Sequence, residues 1–201
     1  MYRFANFDMN NKKIIIEKCA VGSGLNPAII EKDFWVCLML DVIFNKIKYK
    51  DAFTFKGGTS LSKGFNIINR FSEDIDLILN WTSLGVSEEE PMLDRSNTAQ
   101  LRYNKMLNAE AGTFIKEKLI PELIRVLKEY VKDEIKIEVS EDDDQIVNIY
   151  YPKLYESEAI LQYIRLEIGP IAALTPSSNI KVTPYIEEKL KNTLVSYQFL
   201  Y

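Results

Sequence analysis

The sequence predicts an α/β (α+β) domain in which a mixed β-sheet is flanked by helices at both ends of the chain. Two kinds of pattern indicate this fold class. Apolar residues alternate with polar ones, as in half-buried strands, at 135–139, 145–151 and 161–168. They recur instead every third or fourth position, as on a helix face, at 27–46 and 98–132.

Length and composition are ordinary for a globular protein. The 201 residues suffice for one well-cored domain, with 47% of them hydrophobic and 27% charged. A formal charge of −4 and a pI near 5.1 argue against a uniformly basic nucleic-acid binder, so any contact with RNA must be local. Within one compact unit we distinguish an N-terminal helical segment, 1–50, a core, 51–183, and the start of a C-terminal helical part, 184–201.

The chain contains no histidine. Hydrolases with Ser-His-Asp or Cys-His groups and His-ligated zinc sites are therefore excluded in their usual forms. The chemistry that remains is that of carboxylates and metal ions.

The N-terminus, the apolar stretches and the cysteines indicate the cellular compartment of the protein. The first residues, MYRFANFDMNNKK, lack the basic start and the long apolar core of a signal peptide. The longest apolar stretch, 34–44, is interrupted by Asp41 and is too short to span a bilayer. Cys19 and Cys37 have neither metal-site spacing nor the density of a secreted disulfide scaffold. We therefore expect a cytoplasmic protein.

Two helices are predicted first, at 12–21 and 27–46. Asn26 is a good N-cap for the second helix, and Pro27 suits its first position. Apolar residues recur every fourth position on that helix: Ile30, Phe34, Leu38 and Val42. It should be a core helix, with residues 31–33 forming a solvated or capping first turn.

A strand, Phe53–Lys56, and a glycine pair, Gly57 and Gly58, come next. Thr59 or Ser60 is expected to cap a following helix. One face of that helix carries three apolar residues at i, i+4 and i+7, namely Leu61, Phe65 and Ile68, and Arg70 lies near its end.

A second strand follows, in which Asp74 and Asp76 alternate with apolar residues and so share one face. Their Cα atoms should be about 6–7 Å apart, close enough for the side chains to hold divalent cations. Hard cations such as Mg²⁺ are often completed by substrate phosphates, and the N–H groups of a helix start stabilise a phosphate. D-x-D and Gly-Gly are weak signals separately, but together they predict a metal-bound nucleoside triphosphate.

The sequence predicts a loop followed by a long helix in the middle of the chain. Residues 81–97 have no clear period and should form a surface loop beside the site. Residues 98–132 are predicted to be helical, with Pro121 opening a second helix or kinking a single one.

A hairpin and a further strand follow. The strands at 135–139 and 145–151 are joined by an acidic run, 140–144, that lacks the pattern of a calcium loop and is expected to be a hairpin tip. In the strand at 161–168, Arg165 and Glu167 share one face. Glu167 is thus a candidate third carboxylate, and the alternative is an Arg–Glu pair on an exposed sheet face that needs no ligand.

The last predicted elements are a loop at 169–179 and a helix. Thr183 should cap that helix, and Pro184 suits its first position. Four residues form its apolar side: Ile186, Leu190, Leu194 and Tyr197.

FKGGTSLSK followed by RFSEDIDL resembles the nucleotidyltransferase toxins of the AbiEii/AbiGii type, within the DNA polymerase β-like nucleotidyltransferase superfamily. The superfamily pattern is a glycine pair that opens a helix, D-x-D on the next strand, and a third acid on a later strand. The segment EKDFW at 31–35 also resembles one common upstream in the family. The family has Lys and Asp where Arg165 and Glu167 stand, so the side chains here carry the same charges but differ in how far they extend.

The resemblance implies a nucleotidyltransferase core and a metal-dependent enzyme. Asp74, Asp76 and Glu167 would be catalytic and would hold Mg²⁺ (or Mn²⁺). The nucleotide-binding groups would be Gly57, Gly58, Thr59, Ser60, Lys63, Arg165 and Lys189, of which Lys189 rests on the resemblance of Glu188-Lys189-Leu190 to a family segment. The structural alternative for Lys189 is a solvated helix lysine.

The implied reaction transfers a nucleoside monophosphate from an NTP to an acceptor, an RNA such as the 3′ end of a transfer RNA. The protein would be the toxin of a toxin–antitoxin or phage-defence pair, with a cognate antitoxin encoded nearby that need not contact it. Two alternatives stay open: a nucleotidyltransferase for small molecules of the antibiotic type, and an inert nucleotide-binding module.

Overall fold

The computed structural model describes residues 1–64, 74–171 and 178–190. Within these ranges the helices are α1 (Tyr2–Ala5), α2 (Met9–Ser23), α3 (Pro27–Asp41), α4 (Gly57–Thr59), α5 (Asn97–Phe114), α6 (Ile120–Tyr130) and α7 (Tyr185–Leu190). The strands are β1 (Phe53–Lys56), β2 (Asp74–Leu79), β3 (Lys136–Val139), β4 (Ile146–Tyr150) and β5 (Ile164–Gly169). The predicted residues Phe65, Ile68, Arg70, Leu194 and Tyr197, and part of the predicted loop at 169–179, lie outside the described residues.

The strands form one mixed sheet in the order β1-β2-β5-β4-β3. Only β2 and β5 are parallel among these neighbours, and the other pairs are antiparallel. Parallel neighbours need a long crossover, which the helices α5 and α6 and the β3–β4 hairpin supply here. The predicted fold class, a mixed sheet flanked by helices, is confirmed.

One face of the sheet is apolar and packs into the core. Its buried residues include Ile75 and Leu77 on β2 and Leu166 on β5. They belong to the same apolar cluster as Leu38 of α3 and Leu123 of α6. The helices therefore cover this face, and the opposite face of β2 and β5 carries the polar residues.

Helix α3 begins as predicted at Pro27, where the Asn26 side chain accepts a hydrogen bond from the N–H of Ala28 at 2.9 Å. Its buried apolar residues run without interruption from Phe34 to Leu40. A helix that is apolar on all sides belongs in the interior of a protein. The predicted core helix is confirmed, and a π-helical turn, Val42–Lys46, extends it.

The expected solvated first turn of α3 is wrong. Glu31, Lys32 and Asp33 are all buried, because each charged group reaches a partner elsewhere in the chain. Glu31 accepts hydrogen bonds from the N–H groups of Leu154 and Tyr155 at 2.8 and 3.2 Å. Lys32 donates to the carbonyl of Leu161 at 2.6 Å, and the partners of Asp33 are described with the site.

The long predicted helix divides before its proline. A π-helical turn, Ile115–Leu119, separates α5 from α6, and Pro121 lies in the first turn of α6. A proline has no N–H to donate to the preceding turn, so the chain widens there. The preceding predicted loop is confirmed as an irregular segment with two short 3₁₀ turns, Trp81–Leu84 and Glu90–Met92.

Several boundaries differ from the prediction, and helix α2 spans Met9–Ser23 rather than 12–21. Strand β5 begins at Ile164 rather than at residue 161. Helix α7 begins at Tyr185, and its first N–H donates not to the predicted cap Thr183 but to the Asp33 carboxylate at 2.7 Å. The predicted hairpin of β3 and β4 is confirmed by its antiparallel register.

Among the described residues, no helix combines the length and the apolar character needed to cross a membrane.

Candidate active site

The acidic residues meet where β2 and β5 run side by side. The parallel register places Asp76 directly opposite Glu167, and Asp74 directly opposite Arg165. Residues opposite each other on neighbouring strands point to the same side of a sheet, and the strands are about 4.8 Å apart. These four residues are partly exposed, whereas Ile75 and Leu166 between them are buried. The three predicted carboxylates therefore share the open face of the sheet.

Gly57 brings the start of α4 against Asp76. Its φ is +75°, in the left-handed region, which glycine adopts without strain. A Cβ at this position would overlap with the carboxylate of Asp76. The first glycine of the pair is thus needed both for the turn and for the close approach of the helix to the acid.

Thr59 connects α4 to β2 through a hydrogen bond. Its side chain is buried, and its hydroxyl donates a hydrogen bond to the backbone carbonyl of Asp74. The predicted helix start at Thr59 or Ser60 is therefore about one turn late, since the helix begins at Gly57 and Thr59 lies inside it. Ser60 opens the π-helical turn, Ser60–Gly64, in which α4 continues.

Arg165 and Glu167 form an ion pair on the open face. The Nε of Arg165 lies 3.0 Å from Oε1 of Glu167, and the two side chains are 36% and 42% exposed. The two sequence interpretations are compatible, because Glu167 has an arginine partner and also stands in register with Asp76. A solvent-exposed pair of this kind is worth little in stability and separates easily.

The carboxylates have the chemistry of a metal site, but in this structure they do not converge. Among the described residues, no group of three or more His, Cys, Asp or Glu side chains is close enough to hold a metal ion. Oxygen donors from three carboxylates on one face suit a hard cation such as Mg²⁺. The backbone register fits the ligand set, whereas Glu167 is turned towards Arg165.

Lys63, predicted to bind phosphate, is held by Asp33. Its Nζ lies 2.5 Å from Oδ1 of Asp33, and the side chains are 9% and 1% exposed. The ammonium also donates to the carbonyl of Thr183 at 3.2 Å and lies 3.6 Å from the ring centroid of Tyr185. Burial is the largest single influence and opposes its charge, but Asp33, Cys37 and Tyr185 together outweigh burial and raise the pKa of Lys63 above its usual value.

The remaining predicted nucleotide ligands lie on the helices α4 and α7. Gly58 is within α4, next to Gly57. Lys189 is in α7, the helix whose first N–H is bonded to Asp33, and its side chain lies outside the described part of the chain.

Two residues near the site were missed by reasoning from the sequence. Lys56 is the register partner of Asp76 on the β1 side, so Asp76 stands between Lys56 and Glu167. Asp33 connects α3 to α4 and α7. Its signal in the sequence is a charged triplet, 31–33, at the start of an apolar helix, a pattern that by itself indicates a solvated or capping turn.

Comparison with known proteins identifies a family. A family model described as "Nucleotidyl transferase AbiEii toxin, Type IV TA system" matches residues 39–199, which include the glycine pair, Asp74, Asp76 and Glu167 but not Asp33. Comparisons with curated proteins and with solved structures found no match. The family model covers most of the chain, and the sheet and its open acidic face agree with it. The chain therefore belongs to the AbiEii family of nucleotidyl transferase toxins of type IV toxin–antitoxin systems, and it is a nucleotidyltransferase.

Proposed function

We propose that this toxin transfers a nucleoside monophosphate from an NTP to a hydroxyl of an RNA acceptor, such as the 3′ end of a transfer RNA. The observation that carries the proposal is the register of β2 and β5, which sets Asp76 opposite Glu167 beside the glycine pair. The finer assignments of acceptor, metal and residue roles are our inference.

The helix that starts at Gly57 would bind the triphosphate. The N–H of Ser60 donates to the carbonyl of Gly57, whereas the N–H groups from Gly57 to Thr59 have no preceding helical turn to bond to and favour a phosphate anion. Because the hydroxyl of Thr59 is bonded to Asp74, Ser60 is the hydroxyl that remains to contact phosphate. Arg165 and Lys189 would add positive charge, with Arg165 leaving Glu167 for the triphosphate.

Glu167 would be the base of the reaction. The acceptor oxygen attacks the α-phosphorus, a new P–O bond forms as the bond to pyrophosphate breaks, and the hydroxyl proton passes to the Glu167 carboxylate. Asp74, Asp76 and Glu167 would hold Mg²⁺ (or Mn²⁺), which in such sites neutralises the triphosphate charge and activates the attacking hydroxyl.

An aromatic pair beside Arg165 favours RNA over a small molecule as the acceptor. Tyr150 of β4 shares the open face with Arg165, because Asn148, two residues earlier on the same strand, is the register partner of Arg165. The rings of Tyr150 and Tyr163 are 5.3 Å apart between centroids. Single-stranded nucleic acids stack their bases on exposed aromatic rings, so this pair suits the nucleotides next to an acceptor end.

The cellular setting follows from the family and the substrate. A type IV system includes an antitoxin, which we propose counteracts the product or its effect and need not contact the toxin. We propose that the reaction takes place in the cytoplasm, where NTPs and transfer RNA are both present.

The test is transfer of label from each of the four α-³²P ribonucleoside triphosphates, with Mg²⁺, to total RNA, to purified transfer RNA and to an aminoglycoside. We expect label on RNA from one nucleotide and none with the Asp74→Ala, Asp76→Ala double variant. Glu138→Gln is the matched control, since the strands β5 and β4 separate this acid from β2 and it pairs with Lys136, and it should retain activity. Label on the aminoglycoside alone would replace RNA by a small-molecule acceptor, and an absence of NTP binding would reject the proposal.

A further inference from the structure

We propose that Asp33 is a positioning residue that joins the two helices of the nucleotide site and thereby sets the affinity for the triphosphate. It holds α4 through Lys63 and α7 through the N–H of Tyr185. The inference rests on the proposed function, because α4 and α7 carry the groups assigned to phosphate binding.

Both oxygens of the Asp33 carboxylate are engaged. Oδ1 lies 2.5 Å from the ammonium of Lys63, and Oδ2 accepts the first N–H of α7 at 2.7 Å. The carboxylate is 1% exposed, so neither contact competes with water. An ion pair out of water is strongly coupled to its geometry, because either charge left alone would be buried without compensation.

The ammonium of Lys63 extends the link. It donates to the carbonyl of Thr183, just before α7, and lies over the ring of Tyr185. Two groups around the start of α7 thus contact the Lys63 side chain, which comes from the π-helical turn that continues α4. Unlike neighbouring strands, the helices α4 and α7 are not held together by backbone pairing, so these side-chain contacts set the distance between them.

Helix α3 gives the link a rigid base. Asp33 precedes the continuous buried run from Phe34 to Leu40, and the neighbouring Lys32 anchors the same turn by donating to the carbonyl of Leu161. On the other side, α4 is fixed to the catalytic strand, with Gly57 against Asp76 and Thr59 bonded to Asp74. The distance from the catalytic acids to α7 is therefore set in the protein before a nucleotide binds, and such preorganisation raises affinity.

The same contacts argue that Lys63 does not bind phosphate directly. Its charge is balanced by Asp33 at contact distance, and it is largely buried among Asp33, Thr183 and Tyr185. If Lys63 were a phosphate ligand that Asp33 restrains, loss of the Asp33 charge would release it and tighten NTP binding. A positioning role predicts the opposite sign.

The experiment compares the Kd for the NTP, and the KM and kcat for transfer, in the full chain and in Asp33→Asn, Lys63→Met and the double variant. We expect Asp33→Asn to raise Kd and KM about tenfold, with kcat at saturating NTP within about threefold of the original. Lys63→Met should give a similar rise, and the double variant should be no worse than either single one, because both remove the same link.

Glu31→Gln is the matched control. It alters a buried carboxylate of the same helix turn, whose bonds go to Leu154 and Tyr155 rather than to α4 or α7. It should leave KM within about twofold. An unchanged or lower Kd in Asp33→Asn, or an equal rise in Glu31→Gln, would overturn the positioning role. If Asp33→Asn does not fold, Lys63→Met carries the same comparison, and an unchanged Kd there overturns the proposal.

Hydrogen exchange separates this inference from the proposed function. Peptides covering 57–64 and 178–190 should exchange faster in Asp33→Asn and in Lys63→Met, and not in Glu31→Gln. Exchange that stays unchanged in both peptides contradicts the link whether or not the protein binds NTP. Failure of the original chain to bind NTP, with the exchange difference present, rejects the nucleotide role and with it the proposed function.

Discussion

At Gly57, both the backbone turn and the position of the Asp76 carboxylate require a residue without a side chain. Its positive φ and its contact with Asp76 both exclude a Cβ. We predict that Gly57→Ala lowers the free energy of unfolding by at least about 1–2 kcal/mol, the cost of the left-handed conformation. Displacement of Asp76 should lower kcat/KM by about a hundredfold. Chemical denaturation and the transfer assay measure the two effects.

Gly22 provides the matched control for that substitution. It lies within α2, no atom is within 4 Å of where a Cβ would be, and its φ is not in the left-handed region. Gly22→Ala should leave activity unchanged and stabilise the protein by about 0.5–1 kcal/mol. Full activity in Gly57→Ala would show that α4 can withdraw from Asp76 without loss.

Glu31 should make stability depend on pH. Its burial raises the pKa to about 7, against the opposing hydrogen bonds from Leu154 and Tyr155. Between its ordinary value of 4.5 and 7, the folded state holds the proton more tightly than the unfolded state, so stability falls as pH rises through this window. The loss amounts to about 3 kcal/mol at most. Above the folded pKa the contribution is constant.

Urea denaturation at several pH values between 5 and 8 tests this. The difference in unfolding free energy between the original protein and Glu31→Gln isolates the residue, since the other titrating groups are common to both. The difference should change across the window in favour of the original protein at low pH. A difference that stays constant with pH would mean that Glu31 remains ionised in the folded state.

The two faces of strand β5 are expected to have different roles. Its buried face contributes to stability, and its open face carries the predicted chemistry. Leu166 is fully buried, and Leu166→Ala should destabilise the protein by about 2–5 kcal/mol while the remaining folded enzyme stays active. Glu167→Gln, one residue further and on the open face, should lower kcat by about 10²- to 10⁴-fold with little change in stability. Measurement of both quantities in both variants checks the assignment, and a large loss of stability in Glu167→Gln would contradict it.

These two faces were predictable because alternation in a strand is a local property. The strands at β1, β2 and β5 and the shared face of Asp74 and Asp76 follow from residues near each other in sequence. The pairing of Asp76 with Glu167 does not, because a register between distant strands depends on how the intervening chain packs. Alternation alone makes Glu167 a candidate third carboxylate, and the resemblance to a family favours that role over an exposed Arg–Glu pair.

The first turn of α3 could not be predicted for the same reason. Glu31, Lys32 and Asp33 look solvated when their neighbours in sequence are the only guide. Their partners, Leu154, Leu161 and Lys63, come from parts of the chain that only the tertiary fold brings near. Buried charges of this kind are visible once the partners are known, since burial requires pairing.

At the scale of the whole molecule, one apolar cluster joins the sheet to helices from both the N-terminal and the C-terminal parts of the chain. It includes residues from α2 and α3, from β2 and β5, and from α6 and α7. We predict that urea unfolds the protein in a single transition, with far-UV circular dichroism and tryptophan fluorescence giving the same midpoint. The two tryptophans, Trp35 in α3 and Trp81 after β2, report on different regions. Two resolved midpoints would show that the N-terminal helices unfold separately.

The parallel pairing of β2 with β5 also has a consequence for how the toxin acquires its activity. Asp76 and Glu167 are separated along the chain by α5, α6 and the β3–β4 hairpin, so they meet only after that whole crossover has been placed. Contacts between residues far apart in sequence carry a large loop-closure cost and form late in folding. The proposed catalytic pair is therefore expected to assemble after most of the protein has folded. We expect a nascent or incompletely folded chain to lack transferase activity.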